Sequence, residues 1–226
     1  MDSISVIIPC YNQMNYLFDA VTSILEQQIS DLEIIIVDDG STDISHAVLN
    51  DLKQDSRIKI FMQDNQGAAS ARNLGIKNAT KPYLAFLDAD DVWLSGKISH
   101  QLKEMQDAHV QMVFTYIEQF ISPELMTEAL KNKPIKNQIM PGKCLSTMLT
   151  SRDVFKVVGL FDESLKVGEF IAWNLKTKAH AISEKTIDKV YARRRIHKNN
   201  SSYRNKAHRQ DYLRILKARQ QQVEEG

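Results

Sequence analysis

Hydrophobic positions along the first hundred residues alternate between two periods. Residues 4–10 ("ISVIIPC") and the apolar part of 32–39 ("LEIIIVDD") are continuous β-branched runs, the pattern of strands buried on both faces of a parallel sheet. Between them Leu17, Val21, Ile24 and Leu25 recur at helical spacing, and strand, helix, strand in that order predicts a right-handed βαβ unit. A second helix is expected from Thr42 to about Lys53 with Ser41 or Thr42 as its cap, followed by a third strand at 57–62 ("RIKIFM"). Residues 65–79 ("NQGAASARNLGIKNA") place small side chains on a helical stripe, and 83–88 ("YLAFLD") form a fourth strand. The sum is a doubly wound α/β half-sheet, whose ligands sit beyond the carboxyl ends of the strands.

That rule gathers the polar residues. Tyr11 and Asn12 follow the first strand, Asp38 and Asp39 end the second, and Asp88 and Asp90, with Asp91 beside them, end the fourth. Three carboxylates directly after an apolar run repel one another and lose hydration unless a cation or a set of donors faces them. No glycine-rich dinucleotide fingerprint or phosphate-cradling Gly-Lys-Ser stretch follows any strand, so a phosphorylated ligand would need a metal.

At 226 residues the chain suits one substantial domain. Its net charge of +1 gives no reason to expect nucleic acid as a partner. The average conceals an asymmetry: residues 1–100 carry 14 Asp/Glu against 7 Lys/Arg, and residues 176–226 carry 14 Lys/Arg against 5 Asp/Glu. Cys10 and Cys144 have no metal-ligand spacing and suit a reducing compartment. The start "MDSISVIIPCYN" lacks the basic flank of a signal peptide, and no apolar run approaches the ~20 residues of a membrane span. A cytoplasmic location is expected.

The ordered segments "SVIIPCYN", "IIIVDDGSTD", "NQGAASARNLGI" and "YLAFLDADD" resemble the inverting family 2 glycosyltransferases, strongly over residues 4 to about 104. Weaker likenesses follow at 151–169 ("SRDVFKVVGLFDESLKVGE") and 191–202 ("YARRRIHKNNSS"). The resemblance implies a type A nucleotide-sugar-binding fold with a Rossmann-like, mostly parallel sheet. It divides the chain into a single domain at 1–203, with a donor half at 1–104 and an acceptor-side half at 105–203, and a basic helical tail at 204–226.

It also implies roles. Pro9 and Tyr11 line the donor site, with the Tyr11 ring on the base. Asp39, ahead of Asp38, accepts a hydrogen bond from a uracil-type base. Asp88 and Asp90 form the Asp-x-Asp pair that holds Mn²⁺ or Mg²⁺ against the donor diphosphate, a suitable pairing because hard cations take carboxylate and phosphate oxygens. Asp91 touches sugar or acceptor, or caps a helix beginning near Leu94. Arg72 neutralises a phosphate or steadies the Asp-x-Asp strand, and Gly67 admits a close backbone approach.

In the second half, Glu169 of "GEFIAW" stands as the general base, with Asp162 and Glu163 behind it, while Phe170 replaces the aspartate usual beside that base. Phe170 and Trp173 serve either as a sugar platform or as core. Alternation puts Arg193 and Arg195 on one side of a strand at 187–192 and its continuation, Arg195 reaching the diphosphate, and His197 ligates the metal or bonds a phosphate. The basic tail docks on the domain, pairs with a second chain in a homodimer, or rests on anionic membrane. The reading is metal-dependent sugar transfer from a nucleotide-sugar donor, UDP-linked, to a hydroxyl of a saccharide, lipid-linked saccharide, small molecule or peptide. The alternatives are a noncatalytic nucleotide-sugar-binding protein and, third, a nucleotidyltransferase.

Overall fold

The computed structural model describes residues 3–43, 46–125, 138–198, 200, 210, 211, 214 and 215. The four buried runs become β1 (Ser3–Cys10), β2 (Asp31–Asp38), β3 (Ile58–Met62) and β4 (Tyr83–Phe86). They lie side by side in the order β3-β2-β1-β4, all parallel, with Cys10 opposite Asp38 and Ile7 opposite Phe86. This register puts the carboxyl ends of β1, β2 and β4 on one edge, as the expected crevice requires.

Successive side chains of each strand serve opposite faces. Ile4, Val6 and Ile8 join Ile34 and Ile36 in one apolar cluster, while Ile7, Ile35 and Val37 join the other. The helices are α1 (Met14–Leu25), α2 (His46–Leu52), α3 (Ala68–Asn78), α4 (Lys97–Asp107), α5 (Asp153–Val158) and α6 (Glu169–Ala179). Residues of α1, α2 and α4 fill the first cluster, and residues of α3, α5 and α6 fill the second. The sheet is therefore covered on both faces, which is why its strands carry no polar alternation.

The later strands are β5 (Val92–Trp93), β6 (Met112–Ile121), β7 (Ile139–Gly142), β8 (Leu149–Ser151) and β9 (Glu184–Ile196). They continue the sheet as β4-β8-β6-β9-β5, with β7 also on β6. β8 runs antiparallel to β4 and β6, β9 runs parallel to β6, and β5 runs antiparallel to β9. The last pairing matters for the site. Val92 lies opposite Arg193 and Trp93 opposite Ala192, so the acidic turn just before β5 is brought against the end of β9.

Several local expectations shift. The helix expected from Thr42 is described as α2 from His46; the Ser41 hydroxyl accepts the Asn12 N–H, and the Thr42 N–H donates to Asn12 Oδ1. The helix expected near Leu94 begins at Lys97, because Val92–Trp93 is taken up as a strand. No helix among the described residues is long and apolar enough to cross a membrane. Of the tail, residues 210, 211, 214 and 215 are helical and the others lie outside the described residues, as do any membrane or homodimer contacts made by them.

Candidate active site

The acidic turn separates its carboxylates. Asp91 N–H donates to Asp88 O at 3.0 Å and closes the turn. Asp88 stays 42% exposed, and its Oδ1 accepts from Arg72 Nη2 at 2.7 Å. Asp90 is covered from β9: Oδ2 lies 2.9 Å from His197 Nε2 and 3.3 Å from Asn200 Nδ2. Asp91 points inward and is 4% exposed. Its Oδ2 accepts from Ser146 Oγ at 2.8 Å and its Oδ1 from Arg195 N–H at 3.1 Å. Burial, then Asp90 and Asp88, push its carboxyl well above the ordinary range, against the pull of those two donors. Asp91 caps no helix, since α4 starts behind Gly96. Both its oxygens are engaged with protein.

Ser146 therefore joins two parts of the turn, for its hydroxyl also accepts the Asp88 N–H at 3.3 Å. Ser146→Ala leaves a buried carboxyl oxygen without its donor, and a cost of about 1–3 kcal/mol is expected. The reading is a lower urea midpoint at unchanged m-value; an unmoved midpoint would show that Asp91 does not depend on this hydroxyl.

Arg72 links the two halves of the chain. It projects from α3, is 6% exposed, and donates from Nη1 to Glu169 Oε1 at 2.5 Å as well as from Nη2 to Asp88. Burial works against its charge, but Asp88 and Glu169 outweigh it and raise the guanidinium above its ordinary value. Its Nε is buried with no partner among the described residues. Glu169 opens α6 behind Gly168, whose φ of 80° is a left-handed conformation that suits glycine. Phe170 faces the other way, packing edge-on to Phe114 at 6.1 Å and stacked with Trp173 at 6.5 Å. Trp173, 1% exposed, stacks on Phe155 and donates to Gly159 O, so it belongs to the core. Glu163 Oε1 accepts from Asn73 Nδ2, and Asp162 Oδ1 accepts from Ser164 N–H; the Ser164 side chain, then that N–H, hold Asp162 below the usual carboxylate range.

At the ends of β1 and β2 the loops are tied to each other. Asn12, at φ 52°, accepts at Oδ1 from Thr42 N–H and Asp43 N–H; asparagine tolerates that left-handed conformation better than most residues. Tyr11 follows Cys10 with its ring 42% exposed, not in the core, and Pro9 is half-buried within β1. Asp38 accepts from Ser41 N–H. Asp39, 3% exposed, accepts from Gln63 Nε2, Gln66 N–H and Gly67 N–H at 2.7–2.8 Å, and so fixes the start of α3. A Cβ on Gly67 would meet only Lys166 Nζ at 3.9 Å, so its φ of 101° calls for glycine, and close packing does not.

Arg195, 7% exposed, donates from Nε to Asp90 O and from Nη2 to Asp19 Oδ2. Arg193 and Arg195 do share a side: both guanidinium groups lie over Phe120, at 4.7 and 4.8 Å. His197 is 1% exposed, its ring 4.7 Å from that of Tyr16, and its N–H donates to Asn200 Oδ1. Arg195 is thus a clamp on the acidic turn, with its guanidinium engaged by protein.

Residues 5–159 match the family model described as Glycosyl transferase family 2, which is well over half of the chain. The chain belongs to glycosyl transferase family 2. An uncharacterized glycosyltransferase of Rickettsia conorii is 38% identical to this family 2 chain over 162 residues, covering 72% of the chain and 27% of the relative. The UDP-Glc:alpha-D-GlcNAc-diphosphoundecaprenol beta-1,3-glucosyltransferase WfaP of Escherichia coli is 39% identical over 136 residues, 59% of the chain and 53% of WfaP. The chain thus spans about a quarter of the Rickettsia relative and about half of WfaP. Among solved structures, S. aureus TarS in complex with UDP-GlcNAc superposes with a TM-score of 0.70 at 21% identity, covering 88% of the chain and 60% of TarS in that crystal. That likeness identifies the fold as the type A glycosyltransferase fold.

In this family 2 chain, hydrogen bonds join Arg72 with Asp88 and Glu169, and Asp90 and Asp91 with Arg195 and His197. No hydrogen bond among the described residues ties Tyr11, Asp38 or Asp39 directly to the acidic turn; Asp39 reaches it through α3, the helix that carries Arg72. Sequence reasoning missed Ser146, Asn200, Asn73 and Asp19. Asn200 had a signal in its place three residues after His197. Ser146, one of several hydroxyl residues in an uncharged run, had none.

Proposed function

We propose that this chain transfers a sugar from a UDP-linked donor to an acceptor hydroxyl with inversion at the anomeric carbon, and that Asp88 and Asp90 hold the divalent metal that the transfer uses. The observation that carries the proposal is the double grip of Arg72. One guanidinium holds both a carboxylate of the Asp-x-Asp pair and the candidate base, so the donor phosphates and the proton acceptor belong to one site. UDP as the donor nucleotide is supported by the UDP-GlcNAc in the TarS structure and by the UDP-Glc in the name of WfaP.

The donor set fits a hard cation. Among the described residues no hydrogen bond reaches Asp88 Oδ2 or Asp90 Oδ1, and no trio of His, Cys, Asp or Glu side chains forms a cage. Mg²⁺-type sites commonly use one or two carboxylates and complete their shell with substrate phosphates and water. When bound, such an ion neutralises charge developing on the leaving diphosphate. The rest is the work of side chains. Tyr11 offers an exposed ring for stacking on the base. Asp39 accepts three hydrogen bonds and keeps a site for a ring N–H, since a carboxylate accepts about four. Arg72 fixes Glu169 through Oε1, which leaves Oε2, with no donor among the described residues, to take the proton of the attacking hydroxyl. A lipid-linked saccharide is the first acceptor to assay, following the name of WfaP.

Phe170 favours a second reading, a protein that binds nucleotide sugars without turning them over, because a half-buried aromatic packed against the core occupies the place expected of an acid. One pair of measurements separates the two. UDP-glucose or UDP-GlcNAc with Mn²⁺, at about a hundred times Kd, should stabilise the chain by ~2.7 kcal/mol, or roughly 5–10 °C in Tm, and EDTA should remove the shift. Metal-dependent UDP release with a lipid-linked saccharide supplied, its hydroxyl or water taking the sugar, then marks the enzyme. Absence of any shift with either donor would refute both readings.

A further inference from the structure

The loop between α5 and α6 carries Glu169 to Arg72, and it is anchored at separate points. On the α3 side, Asn73 takes the Phe161 N–H at Oδ1 and donates from Nδ2 to Phe161 O and Glu163 Oε1. Within the loop, Ser164 N–H donates to Asp162 Oδ1 and Leu165 N–H to Asp162 O. Beyond Leu165 the next anchor comes from the end of the chain: Lys166 N–H donates to Asp211 Oδ2 at 3.0 Å. Asp211 is 9% exposed, and Ile215, one helical turn on, is 6% exposed, so this part of the C-terminal segment is seated on the domain. Between Lys166 and Glu169 stand only Val167 and Gly168, and Gly168 is the left-handed residue that turns the chain into α6.

We infer that Asp211 is a positioning residue for the active site, fixing through Lys166 the turn from which Glu169 is presented. The inference rests on the proposed function of Glu169. Without Asp211, the last anchors before Glu169 are those on Asp162, and the stretch from Lys166 to Gly168 enters α6 through a glycine that accepts many backbone conformations. Arg72 then has to hold a base whose approach is no longer fixed. The other side of the loop also faces the donor end of the sheet, since Lys166 Nζ lies 3.9 Å from the place a Cβ on Gly67 would occupy. The seating of Asp211 on the domain is in this way part of assembling the site, with its buried carboxylate as the contact.

The test uses the full chain with Asp211→Ala and Asp211→Asn. Hydrogen exchange at the amides of Lys166 to Glu169 should quicken about tenfold or more in Asp211→Ala, with the amides of β1 unchanged. Mn²⁺-dependent UDP release from UDP-glucose or UDP-GlcNAc should lose about tenfold in kcat, while the donor-induced thermal shift stays as in the parent. Asp211→Asn, which keeps an acceptor oxygen, should recover most of both. Unchanged exchange at these amides overturns the inference, and so does parent-like kcat in an Asp211→Ala chain whose amides have loosened. If the parent chain itself releases no UDP even with a lipid-linked saccharide supplied as acceptor, the proposed function fails, and the exchange data alone decide whether Asp211 fixes the turn.

Discussion

Glu169→Gln is expected to lower Mn²⁺-dependent UDP release by about 10²–10⁴-fold, the usual contribution of a positioned general base, while the donor-induced thermal shift persists. The substitution keeps the size of the side chain and removes its ability to take a proton. The donor is held elsewhere in the proposed site, by the Asp-x-Asp pair and by the ends of β1 and β2, so binding and turnover should part company. Gly168 places Glu169 at the first position of α6, and Arg72 takes one oxygen, which leaves Oε2 without a donor among the described residues and open to the proton in the proposed reaction. Neither alternative acid is joined to Asp88 through Arg72. Glu163 is bound by Asn73 and Asp162 by its own loop, and Glu163→Gln or Asp162→Asn should retain most of the turnover. A Glu169→Gln chain that releases UDP at the parent rate would remove the base from this residue and leave the mechanism without one.

The first four strands were legible because burial on both sheet faces demands unbroken apolar runs. Ile34, Ile35, Ile36 and Val37 are each fully buried, alternately in the two clusters, and a sequence that satisfies both faces reads plainly as a central parallel strand. Polar residues at the strand ends were equally clear in position. Their partners were not, since hydrogen bonds over long sequence separations leave no periodic trace. Asp91 shows the difference. Its place in the acidic turn is evident, yet its inward orientation depends on Ser146 and on the Arg195 N–H, more than fifty and one hundred residues away. Arg195 likewise looks like a phosphate ligand from its basic neighbours, and only the pairing of β5 with β9 reveals it as a clamp on the turn. Lys97 is the extreme case. Nothing in the sequence marks it as fully buried, with its ammonium over the Trp93 ring at 4.1 Å and bonded to Gln101, and burial drives its pKa well below the lysine range.

Arg72→Met is expected to cost about 3 kcal/mol of stability, roughly 6–12 °C in Tm, and to lower UDP release at least as far as Glu169→Gln does. A buried ion pair contributes little net stability while intact, but removing one partner leaves the other charges without compensation. Here one guanidinium serves two carboxylates. Glu169 is 15% exposed and suffers most, whereas Asp88, at 42%, recovers part of its hydration, which holds the expected cost at the lower end of the range for a buried pair. Arg72→Lys should rescue little, because an ammonium on a flexible stem cannot present two separate donors in the fixed fork of a guanidinium. The double variant Arg72→Met with Glu169→Met supplies the decisive comparison. If Glu169 is held in place by Arg72, removing both restores part of the lost stability, and the two costs fail to add by about 1 kcal/mol or more. Strict additivity would mean that each side chain acts alone, and the coupling of the donor side to the base through Arg72 would have to be abandoned.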